Sequence, residues 1–111
     1  MDLVVSVYGT TATFPREEKF GLTSQLRSCA VSVPSNIAEG HGRLTLGEWR
    51  QFLGQARGST LEMQTQLILS QRLGFGDPLA IEADLRRSEE VGRIINGLLS
   101  SPHQRRRRKP E

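Results

Sequence analysis

The stretch LTSQLRSCAVSVPSNIAEGHGR, residues 22–43, decides the fold class. Leu22, Leu26, Cys29, Ala30, Val33, Ile37 and Ala38 return at steps of three and four, the period of a helix that buries one face. Pro34 interrupts this pattern. It has no N–H and its ring crowds the carbonyl four residues back, so an interior proline costs about 3 kcal/mol and calls for compensation nearby. Gly40 and Gly42 flank His41 and are expected to end the helix near Glu39 through left-handed conformations. The stretch reads as a bundle helix closed by a small, polar turn.

The rest of the chain agrees with a helical reading. Of its 111 residues 36% are hydrophobic but only 5% aromatic, and strand-type alternation is scarce, so aliphatic helix packing is favoured over a sheet. The length fits one domain. An all-α domain is expected over residues 1–102, with helices at about 2–13, 21–40, 45–73 and 77–100, followed by a basic disordered tail at 103–111. No apolar run approaches the ~20 residues that span a bilayer, and the opening segment lacks a basic start and a cleavage site. A cytoplasmic protein with no membrane partner is expected. Cys29 lies on the apolar stripe of its helix and reads as a core residue.

The first segment places Leu3, Val4, Val7 and Tyr8 on one side, but its β-branched residues make it a weak helix former. The third helix has the clearest start: Thr45 and Glu48 have capping-box spacing, and Leu44 and Trp49 stand at hydrophobic-staple positions. Trp49, Phe52, Leu53, Ala56, Thr60, Met63, Leu67 and Ser70 then follow one stripe to Leu73-Gly74. Gly54, Gly58, Leu61, Thr65 and Ile68 form a second seam, also expected to be buried. The pair Gly54 and Gly58 admits either close packing inside one chain or a subunit interface, and the interface is the expectation. Asp77 and Pro78 open the fourth helix as cap and first residue. Its apolar face is Ile81, Leu85, Val91, Ile94, Ile95, Leu98 and Leu99.

The net charge of +3 is unevenly spread. Residues 1–104 carry ten Lys and Arg against eleven Asp and Glu, a balance of −1, whereas 105–111 carry five basic residues against one acidic, a balance of +4. Arg105, Arg106, Arg107, Arg108 and Lys109 therefore form the candidate nucleic-acid contact, since cations near phosphates release condensed counterions. Aromatic residues are missing from that run, so it offers affinity for RNA or DNA without base readout.

Catalysis is not expected. Two histidines and one cysteine supply no metal-ligand spacing, no phosphate-binding loop occurs, and no nucleophile stands with a matching base. No cofactor or metal is expected either. The candidate oligomer or partner surface comprises Ser35, Asn36, Glu39, His41 and Arg43 together with Gly54 and Gly58. The competing reading gives Ser35 and Asn36 the task of satisfying backbone groups freed by Pro34, and it is the stronger on capping and hydrogen-bonding grounds.

Phe14-Pro15, the LTSQLRS helix start, PSNIAEG at 34–40, ARGS at 56–59 and the Gln-Leu then Leu-Gly ending of the third helix recur in order. In this the chain resembles the four-helix bundle proteins encoded in intervening sequences of bacterial large-subunit rRNA genes. The resemblance implies an antiparallel up-and-down four-helix bundle assembled as a homopentamer around a central axis. Similar architecture occurs in the accessory variability protein of diversity-generating retroelements, which implies a nucleic-acid enzyme such as a reverse transcriptase as an alternative partner. The family's usual Phe-x-x-Leu-x-Val-Trp-type opening is missing. Either the true start lies upstream or the first helix is shortened.

Overall fold

The computed structural model describes residues 2–100, and the candidate nucleic-acid run at 105–109 lies outside them. Four α-helices make up the described chain: α1 (Asp2–Thr11), α2 (Leu22–His41), α3 (Leu46–Leu73) and α4 (Pro78–Ser100), with one 3-10 turn at Arg16–Glu18. No strand occurs among the described residues. The body measures 54 × 22 × 18 Å, its long axis set by the 28 residues of α3, which at 1.5 Å each reach about 42 Å.

Neighbouring helices run antiparallel. Gln66 on α3 reaches Gln25 near the start of α2, while Ser59, further back on α3, meets Ser32, further along α2. Arg50 at the start of α3 donates to the Leu99 carbonyl at the end of α4, and Thr60 approaches Gly92 at mid-length. The short α1 lies over α2 and α4, with Leu3 and Val7 buried in the shared core. An apolar cleft of about 210 Å³ opens at the Asp2 end of α1, between Pro34 and Ile37 of α2 and Val91 and Ile94 of α4.

The α3 stripe is buried as its periodicity requires, from Trp49 through Leu53, Ala56, Thr60, Met63 and Leu67 to Ser70; only Phe52 is half-buried. Glu48 N donates to the Thr45 hydroxyl at 3.1 Å, and Gly74 closes the helix at φ 74°. The staple does not form. Leu44 is 93% exposed and Trp49 packs inward without it, because the chain leaves α2 by a turn that directs Leu44 to solvent. Asp77 caps α4 by accepting from Leu79 N at 3.2 Å.

Two further expectations are corrected. The helix α2 ends at His41, close to its expected bound, but Gly42 has φ −83° rather than a left-handed conformation. Gly40 serves contact instead: a Cβ there would lie 2.6 Å from Phe52 Cβ and 3.0 Å from Trp49 Cε3. The glycine lets α2 and α3 approach closely beside their connecting turn. On α4, Ile94 is 57% exposed, and the buried line is Ile81, Asp84, Ser88 and Ile95. Two polar residues thus stand where apolar periodicity places the core boundary.

Candidate functional surface

The polar insertion after Pro34 is largely tied into the bundle. Asn36 Nδ2 donates to the Ser32 carbonyl at 2.8 Å and to the Ser32 hydroxyl at 2.9 Å, and that hydroxyl pairs with Ser59 of α3 at 2.8 Å. The segment of α2 beyond the proline is thereby fastened to the turn before it, which is itself tied to α3. The bond goes to the Ser32 carbonyl and not to that of Ala30, the group four residues before Pro34. Ser35 is exposed.

At the α2–α3 turn, Arg43 Nη2 pairs with Glu39 Oε2 at 2.8 Å and the guanidinium lies 4.9 Å from the Phe52 ring centre. His41 meets Trp49 edge-on, ring centres 5.8 Å apart. Gly40 sits between these groups, buried against Trp49 and Phe52. Glu39, His41 and Arg43 are thus brought together at one end of the molecule. Both charged groups of the Glu39–Arg43 pair are largely exposed, which limits its contribution to about 0–1 kcal/mol.

The second seam of α3 is placed differently from its expectation. Gly54, Gly58, Leu61, Thr65 and Ile68 are all exposed, so no helix among the described residues covers them. A Cβ added at Gly54 or Gly58 meets nothing within 4 Å among the described residues, so no described helix packs closely against them. Leu61 is 53% and Ile68 44% exposed. Gly54 and Gly58 lie on an open helix face, whereas His41 and Arg43 stand against aromatic side chains.

A buried cluster on α4 was not foreseen from the sequence. Asp84 is wholly buried and accepts from the Ser6 hydroxyl at 2.5 Å and the Thr10 hydroxyl at 2.7 Å, both on α1. Arg87 Nη1 stands 4.0 Å from the same carboxylate and donates to Ser6 Oγ at 2.7 Å. The signal in the sequence is the spacing of Ser6 and Thr10, one turn apart on α1. Cys29 is buried, and burial first, then the nearby Glu62 carboxylate, pushes its thiol from 9.0 up to about 11. Among the described residues no group of His, Cys, Asp and Glu could hold a metal ion, and no helix is long and apolar enough to cross a membrane.

The helical architecture and its motifs have a counterpart among known families. The profile of the family described as 23S rRNA-intervening sequence protein matches residues 1–97. The chain belongs to this family. A crystal structure of a protein from the S23 ribosomal protein family of Bacteroides thetaiotaomicron, described as having unknown function, is similar in fold. It aligns with a TM-score of 0.77 at 17% identity, covering 88% of this chain and 89% of that one. No curated protein matches the chain.

Proposed function

We propose that this member of the 23S rRNA-intervening sequence protein family is a non-enzymatic, cytoplasmic scaffold that assembles as a homopentamer and holds nucleic acid by multivalent electrostatics. The observation that carries the reading is the open seam of α3. One face of this helix is buried from Trp49 to Ser70, while Gly54, Gly58, Leu61, Thr65 and Ile68 line its exposed side at helical steps. Small residues without a neighbour, bordered by exposed Leu61 and Ile68, suit the close approach of a second copy. Repetition by symmetry would also multiply the Glu39 and Arg43 charges at the α2–α3 turn.

Assembly gives the basic run its effect. Arg105 to Lys109 on one chain would attach weakly, whereas several such runs on one particle act together through effective concentration. The attachment is blind to sequence because it reads phosphates. Nucleic acid co-purified at low salt with the intact chain, and with a version ending at Pro102, tests this. The intact protein is expected to retain more; equal retention, or none by either, overturns nucleic-acid holding by the tail. Capture of a nucleic-acid enzyme without nucleic acid would favour the accessory-factor reading in its place.

A further inference from the structure

A second basic feature lies in the folded body, where the ends of α1 and α2 meet. Phe20 is 88% exposed, an unusual position for a phenylalanine, and the Lys19 ammonium stands 5.6 Å from its ring centre. Tyr8 is 43% exposed, with the Arg27 guanidinium 4.6 Å from its ring centre. The guanidinium is fixed there by bonds to Thr11 Oγ1 at 2.8 Å and to the Tyr8 carbonyl at 3.3 Å. Between the two rings runs a shallow groove of about 520 Å³, lined among others by Ser24 and Ser28. No carboxylate lines it. The nearest one in sequence, Glu18, accepts from Leu22 N at 3.0 Å, and neither Lys19 nor Arg27 has a carboxylate partner among the described residues.

We infer that this groove is a docking site for single-stranded nucleic acid, with Phe20 as the stacking platform for an unpaired base and Lys19 and Arg27 as the phosphate contacts. The inference rests on the nucleic-acid reading above and adds to it a site within the bundle and a preference for unpaired strands. Two cations without acidic partners match a polyanion. The exposed Phe20 ring beside them matches the π-face of a base, which a duplex hides by stacking. An acidic peptide would satisfy the charges and leave the rings without a counterpart.

The test is fluorescence anisotropy of the full chain with labelled oligothymidine, oligouridine and a duplex of equal length, across a salt series. Phe20→Ala is expected to weaken single-strand binding at least about fivefold, with duplex binding and the salt slope unchanged. Lys19→Ala is expected to lower the salt slope by about 0.7. Circular dichroism confirms the helices of both variants, whose replaced side chains are exposed. Unchanged affinity of Phe20→Ala, where the wild-type chain binds, overturns the groove and leaves the tail reading standing. An equal loss on duplex, or an assembly that dissociates on Phe20→Ala, overturns it too, the latter by assigning the patch to contact between copies. A wild-type chain that binds no oligonucleotide overturns both readings together.

Discussion

Replacing Asp84 by alanine should loosen α1 before any other part of the bundle. The wholly buried carboxylate accepts two hydroxyls from α1, at 2.5 and 2.7 Å, and bonds to a charged acceptor are worth about 1.5–3 kcal/mol each. Part of this is offset, because removing the carboxylate also removes the cost of desolvating it. Ser6, half-buried, keeps Arg87 as a partner, whereas Thr10 is 7% exposed and would be left without its acceptor. The net loss is expected to be about 2–4 kcal/mol, a large share of the 5–15 kcal/mol typical of a domain. Asp84→Asn keeps an acceptor oxygen and should lose about half as much. Urea unfolding followed at 222 nm measures the totals, and amide exchange at Val7 and Tyr8 locates them. A change under about 0.5 kcal/mol for Asp84→Ala, or exchange that rises evenly over all four helices, would refute the reasoning.

Gly40→Val should destabilise the chain by about 1–3 kcal/mol, because its Cβ would fall 2.6 Å from Phe52 Cβ, and thermal unfolding beside a Gly42→Val control checks it. Cys29 should resist iodoacetamide at pH 7.5 in the folded chain and react once urea unfolds it, as burial keeps the thiol protonated up to about pH 11. A thiol raised in the folded state binds its proton more tightly there, so its contribution is complete below about pH 9 and is lost as pH rises towards 11. Stability that increases across this window would contradict the assignment.

The parts of the fold legible in the sequence are those in which one helix carries its own pattern. The α3 stripe from Trp49 to Ser70, the Thr45 cap and the Gly74 stop follow from local spacing and backbone chemistry. What escaped detection depends on a second element. Asp84 and Ser88 look like solvent positions on α4, and only the hydroxyls that α1 brings to Asp84 make burial there tolerable. Gly40 looks like a helix stop until α3 places Phe52 and Trp49 against it. The same dependence governs the candidate surface. Periodicity marks Gly54, Gly58, Leu61, Thr65 and Ile68 as a seam, and only the packed chain shows that none of the described helices covers them. Phe20 and Tyr8 are distant in sequence and become one groove when α1 and α2 pack.

The central claim is that the open face of α3 is where copies of the chain meet. Multi-angle light scattering of the full chain, in salt high enough to strip bound nucleic acid, tests it most directly. The account predicts a particle of five times the 12.4 kDa chain mass, and a particle of single-chain mass would contradict it.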